Sequence, residues 1–186
     1  GANWSNLSDY DIDDRIEELA KAGAEIARES AEKYEKKDGR MRWTLGSMGP
    51  GTKLPSLGHT TYDHLKKTFA LQAKGLILGG ADAFMVETSQ DLLQTKAAIN
   101  GCRVAMVETD TRLPLFVEVT VETTGTMLMG SEINAALTAL EPLGIDMIGL
   151  NCATGPQEMS EHLRQLSQHA EIPVMVMPNA GLPVLT

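Results

Sequence analysis

Five short apolar runs, each followed by a stretch with helical spacing, recur along this chain, and nothing constrains its fold more. The runs begin near residues 42, 82, 115, 146 and 173, so successive starts lie 40, 33, 31 and 27 residues apart. A crossover of that length carries a helix and brings the chain back to the edge it left, which makes the strands parallel. The predicted strands are Arg42 to Met48, Ala83 to Val86 ending at Glu87, Leu115 to Val121, the run opened by Asp146, and Ile172 to Met177.

Helices fill the intervals. From Asp11 to about Lys36, Ile12, Ile16, Leu19, Gly23, Ile26 and Ala27 recur at helical spacing behind an acidic first turn. Thr61 opens a second helix with Leu65, Phe69, Ala73 and Leu76 on one face, closed by Gly79-Gly80. The third, from about Asp91 to Glu108, shows a stripe at Leu93, Ala97, Asn100, Val104 and Val107. Ser131 is the expected cap of a fourth, and Pro156 suits the first turn of a fifth. No G-x-G-x-x-G follows a strand, and the loop from Gly46 to Lys53 runs Gly-Thr-Lys where a phosphate loop needs Gly-Lys-Ser/Thr. The fold class expected is α/β, a partial (β/α)8 barrel of about five parallel strands. An eight-stranded barrel takes roughly 250 residues. Residues 1–186 therefore read as one incomplete barrel domain, short of its first strands and its last, and a start at Gly1-Ala2 suggests a piece of a longer protein.

The formal net charge of -9 argues against nucleic-acid and anionic-membrane partners, which need a basic face. No apolar run reaches the ~18 residues of a spanning helix, and no signal-type start is present, so the protein reads as cytoplasmic. With two cysteines, Cys102 and Cys152, no disulfide framework arises.

Chemistry concentrates where strands end. Met147 to Pro156 is an apolar run that closes in Asn151-Cys152 and turns through Gly155-Pro156 into a helix, whose free N–H groups and dipole favour a nearby thiolate. A lone strand-end cysteine serves more often as a small core residue than as a ligand, but these neighbours favour the ligand. Cys102 lies opposite its helix's apolar stripe and is structural or merely at the surface. Glu87 ends its strand without a basic neighbour and either binds a substrate amine or caps its loop. In the third strand, Phe116, Glu118, Thr120 and Glu122 share one face, so Glu118 and Thr120 line a barrel lumen or a solvated surface. Pro178 to Pro183 is a turn or a pocket loop, with Asn179 able to bind a polar ligand. His59, His64, His162 and His169 form no H-x-x-x-H pair and are assigned to no metal.

Gly80-Ala81-Asp82 with Glu87-Thr88, Asp91 to Ala97, Gly149-Leu150-Asn151-Cys152-Ala153-Thr154-Gly155-Pro156 and Pro178-Asn179-Ala180-Gly181-Leu182-Pro183 together resemble the homocysteine-binding module of cobalamin-dependent methionine synthases, and the resemblance covers the whole chain. It implies a zinc-dependent methyltransferase built on a (βα)8 barrel, in which three cysteines hold zinc and the homocysteine sulfur becomes the fourth ligand. Coordination strips the thiol proton and presents an aimed thiolate for methyl transfer.

By position Cys152 matches the first zinc cysteine, and Glu87 the acid that contacts the homocysteine ammonium. Asn151, Asn179 and Thr120, read from their places at strand ends, are the further substrate-binding candidates. The family's other two zinc ligands, a Cys-Cys pair on its final strand, are not in this sequence, which matches the middle of the module. The implied donor is methylcobalamin on another domain, recharged by methyltetrahydrofolate, with those domains as partners. Taken alone, the piece is expected to be inactive and to self-associate through unpaired sheet edges. The alternatives are a single-domain relative using betaine or S-methylmethionine, a pterin-binding barrel or Schiff-base lyase, and a non-catalytic βα interaction domain. No strand ends in the lysine that a lyase requires.

Overall fold

A computed structural model describes residues 2–181. Leu182 and Pro183 of the expected pocket loop, and Gly1, lie outside the described residues. β1 (Leu45–Met48), β2 (Ala83–Ser89), β3 (Leu115–Val119), β4 (Met147–Asn151) and β5 (Val174–Met177) form one parallel sheet in the order β1-β2-β3-β4-β5, as the spacing predicts. Between them run α3 (Tyr62–Leu78), α4 (Leu92–Glu108), α5 (Ile133–Leu140) and α6 (Pro156–His169). A short α1 (Trp4–Ser8) and a long α2 (Ile16–Asp38) precede β1. Among the described residues no helix is long and apolar enough to cross a membrane.

Alternation in the strands sorts their two faces. Met48, Phe84, Val86, Leu115, Val117, Val119, Ile148 and Leu150 are all buried in the core against the helices. Their neighbours Ser47, Glu87, Glu118, Thr120 and Asn151 therefore point to the other face, the lumen side of a barrel. The solvated-face reading of β3 is excluded by burial, since Glu118 is 0% and Thr120 1% exposed.

Acidic residues hold the opposite, amino-terminal edge. Asp82 accepts the Thr44 N–H at 2.6 Å and pairs with Arg28 at 2.8 Å, and Asp146 accepts the Leu115 N–H at 2.8 Å. The first strand begins at Leu45 rather than residue 42 because the Arg42 backbone is already engaged, its N–H by Glu35 and its carbonyl by Arg28.

The helices expected to open at Thr61 and near Asp91 do so with side-chain caps: the Thr61 hydroxyl accepts the His64 N–H at 3.2 Å, and Asp91 accepts the Leu93 N–H at 2.8 Å. Asp91 also takes the N–H and hydroxyl of Ser56, and Gln94 donates to the carbonyls of Pro50 and Lys53, so α4 pins the long loop after β1. Ser131 is not the cap of α5. That helix starts at Ile133 with Glu132 at its N-cap and no side-chain cap.

Two helical faces differ from the predicted stripes, for one reason. In α4 the buried residues are Gln94, Thr95, Ala97, Ala98, Ile99, Gly101, Cys102 and Ala105, while Val107 is 82% exposed. A Cβ on Gly101 would stand 2.8 Å from Phe69 Cβ and 2.9 Å from both Ala70 N and Lys66 O, so small residues let α3 and α4 approach closely and the larger ones stay outside. Cys102 is accordingly core, 0% exposed, rather than surface. Likewise α2 buries Ile16, Ala20 and Ala24, with Ala20 and Ala24 facing Gly75 and Gly79 of the α3 end, and leaves Ile26 outside. The predicted face of α3 is buried throughout.

Candidate active site at the carboxyl-terminal sheet edge

Because the five strands are parallel, Glu87, Asn151, Cys152 and Asn179 all lie towards the same carboxyl-terminal edge, where a barrel keeps its chemistry. Two backbone irregularities gather the first three. The β2–β3 register shifts between Val86 and Ser89, which places a bulge at Glu87-Thr88, and Thr88 there has φ 57°. After β4, Cys152 and Ala153 follow one another at φ 59° and 52°. Left-handed backbone at non-glycine residues costs about 1–3 kcal/mol each and collects at functional sites. Here the two turns face one another across the intervening strand.

Asn151, 1% exposed, ties them together. Its Oδ1 accepts the Thr88 N–H at 2.9 Å, which fixes the amide orientation, because only the oxygen can face a backbone donor. Its Nδ2 then reaches Glu87 Oε2 at 3.2 Å, Thr88 Oγ1 at 2.9 Å and Cys152 Sγ at 3.4 Å. Thr88 Oγ1 also lies 3.6 Å from the thiol. Ser47 donates to Glu87 Oε1 at 2.5 Å, and the Thr120 hydroxyl donates to the Asn151 carbonyl at 3.1 Å. One amide thus fixes a carboxylate relative to a half-buried thiol. Ser47 and Thr88 belong to the cluster although the sequence assigns neither a role; Thr88 enters there only as part of the Glu87-Thr88 stretch.

The α6 N-terminus is less open than expected. Glu158 takes the Gly155 N–H at 3.1 Å, so a carboxylate already caps that end. Asn179 is at the right edge but apart from the cluster. Its N–H donates to the Thr154 carbonyl at 3.2 Å, its side chain is exposed, and no hydrogen bond joins that side chain to Glu87, Asn151 or Cys152 among the described residues.

Glu118 is the electrostatic oddity. Burial first, and the Glu87 charge second, push its carboxyl up to about 7. A carboxyl raised in this way contributes stability that is whole below its ordinary value near 4.5 and is lost as pH rises through about 7. Glu118→Gln is therefore expected to flatten the pH dependence of local stability between those values, by at most about 3 kcal/mol. Native-state hydrogen exchange of the β3 amides, followed across that range, checks it; an unchanged slope rejects the shift.

Cys152 suits a thiolate ligand, being half-exposed with two polar neighbours at its sulfur. Four-coordinate zinc requires more. Among the described residues no three His, Cys, Asp or Glu side chains converge on a metal position.

The sequence profile of the homocysteine S-methyltransferase family matches residues 1–185. Methionine synthase of Mycobacterium tuberculosis (strain ATCC 25618 / H37Rv) is 64% identical over 185 residues, and that of Mycobacterium leprae (strain TN) 63%. The chain spans 15% of the length of each. The metallated form of the homocysteine methyltransferase MmuM from Escherichia coli superposes with a TM-score of 0.81 at 18% identity, over 97% of this chain and 64% of that one. Its apo form gives 0.75 at 19% identity, over 91% and 61%. The fold is thus that of these barrel enzymes, and the chain belongs to the homocysteine S-methyltransferase family.

Proposed function

We propose that this chain provides the substrate-binding portion of a methyltransferase that converts homocysteine to methionine, with Cys152 as one zinc thiolate and Glu87 as acceptor of the homocysteine ammonium. The observation that carries the reading is the Asn151 amide, which holds a carboxylate oxygen at 3.2 Å and a thiol sulfur at 3.4 Å from one nitrogen. An amino-acid thiol needs both ends held, its sulfur for activation and its ammonium for orientation. Zinc, when bound, supplies the acidity that keeps the substrate sulfur a thiolate at neutral pH. Asn151 orients Glu87 towards the ammonium and Cys152 towards the metal, and Thr120 fixes Asn151. Asn179, on the loop after the last strand at the same sheet edge, is assigned to the substrate site as a hydrogen-bonding group for a polar part of the ligand.

The proposed donor is methylcobalamin on another domain, recharged by methyltetrahydrofolate. The strong identity to methionine synthases, of which this chain covers 15%, supports that choice over betaine or S-methylmethionine. Alone, the chain offers one thiolate and an open sheet on whose outer strands Leu45, Val176 and Met177 are exposed. Inactivity and self-association are expected for it. Light scattering with zinc analysis checks this, and a monomer holding tight stoichiometric zinc contradicts it.

Replacing Glu87 by Gln in the complete gene product tests the ammonium role. A charge-assisted hydrogen bond is worth about 1.5–3 kcal/mol, so homocysteine affinity is expected to fall roughly ten- to hundredfold while zinc content holds. An unchanged dissociation constant returns Glu87 to a loop-capping role.

A further inference from the structure

Glu118 is fully buried, yet neither of its carboxyl oxygens has a hydrogen-bond partner among the described residues. Burial of an acid without a donor is unfavourable, and such groups in folded proteins call for an explanation. Among the described residues no Lys or Arg pairs with Glu118 or with Glu87. The register places the two acids together: Val86 pairs with Val117, so Glu87 and Glu118 are the next residues on adjacent strands and share the lumen face.

On its other side Glu118 pairs with Gly149, two residues before Asn151. A Cβ at Gly149 would stand 3.2 Å from Glu118 Cγ and 2.4 Å from the Met175 carbonyl oxygen, so glycine at that position leaves the carboxyl arm its space. The two acids also differ in what they have left to offer. Each oxygen of Glu87 already accepts a donor, from Ser47 and from Asn151. Glu118 keeps all its lone pairs free. Two neighbouring carboxylates with no cation between them are matched by a ligand that brings positive charge and several N–H donors.

We propose that Glu118 is a second carboxylate of the substrate site, sharing with Glu87 the ammonium group of the bound amino acid. This rests on the homocysteine reading above and adds to it the residue that selects for an amino-bearing thiol. The unfilled hydrogen-bonding capacity of the free site becomes recognition energy only when the ammonium arrives.

The test uses the complete gene product loaded with zinc, titrated calorimetrically with homocysteine and with 4-sulfanylbutanoate, which has the same thiol and carboxylate but no ammonium. In Glu118→Gln, homocysteine affinity is expected to fall about ten- to hundredfold while affinity for 4-sulfanylbutanoate stays level, so the preference between them shrinks by the same factor. Glu118→Asp, which keeps the charge on a shorter arm, is expected to retain part of that preference. Equal losses for both ligands, or homocysteine affinity unchanged in Glu118→Gln, overturns the assignment while leaving the homocysteine reading intact. Failure of the unmodified protein to bind homocysteine overturns both.

Discussion

Cys152→Ala in the complete gene product is expected to abolish zinc retention and methyl transfer together, whereas Cys102→Ala leaves both in place. The difference follows from where each thiol sits. Cys152 is half-exposed at the strand end with Asn151 and Thr88 at its sulfur. In the proposed three-thiolate site, removing one ligand leaves a weak, open position for a metal that prefers tetrahedral ligation. Cys102 is buried on α4, where desolvation pushes its thiol up and its sulfur packs 3.5 Å from Met48 Sδ. Its removal costs about 1 kcal/mol of packing and no metal chemistry. Zinc analysis after dialysis and a methyl-transfer assay on both variants decide the matter; stoichiometric zinc in Cys152→Ala refutes the ligand assignment.

A second large effect is expected at Asn151, because one side chain serves both halves of the site. Asn151→Ala leaves the Thr88 N–H without its acceptor and Glu87 Oε2 without its amide donor, and removes a polar neighbour of the thiol. Glu87 and Thr88 are only part-buried, so each lost hydrogen bond costs about 0.5–1.5 kcal/mol, and the loss of a group that orients a ligand lowers metal affinity about 10–100-fold. The expected signature is a double loss, of zinc affinity against a competing chelator and of homocysteine affinity. Glu87→Gln moves only the second. If Asn151→Ala changes neither, the amide is a bystander and the bulge holds the two residues by itself.

Much of this was legible in the sequence, and the parts that were not share a physical character. Strand order, the α3 face and the helix starts at Thr61 and near Asp91 follow from spacing and local hydrogen-bonding chemistry, which one chain segment determines. Glu87, Asn151 and Cys152 stood out as polar residues closing apolar strands, and the structure brings those three together.

The face of α4 could not be found by counting large apolar residues. A close helix pair buries Gly101, Ala98 and Ala105 and leaves Val107 to solvent. The role of Thr88 was hidden for the opposite reason. A β-branched residue is among the least suited to positive φ, so its sequence identity argues against the bulge that the tertiary structure imposes. The role of β3 stayed undecided because alternation gives two faces without saying which one is covered. The helices packed on Val117 and Val119 settle that, and send Glu118 into the lumen.

Zinc-edge X-ray absorption on the complete gene product, before and after homocysteine, tests the central claim most directly. The expected result is a sulfur-containing shell near ~2.3 Å that gains one sulfur scatterer when homocysteine binds, in the unmodified protein and not in Cys152→Ala. A zinc shell that stays the same on adding homocysteine, or that Cys152→Ala leaves unaltered, contradicts it.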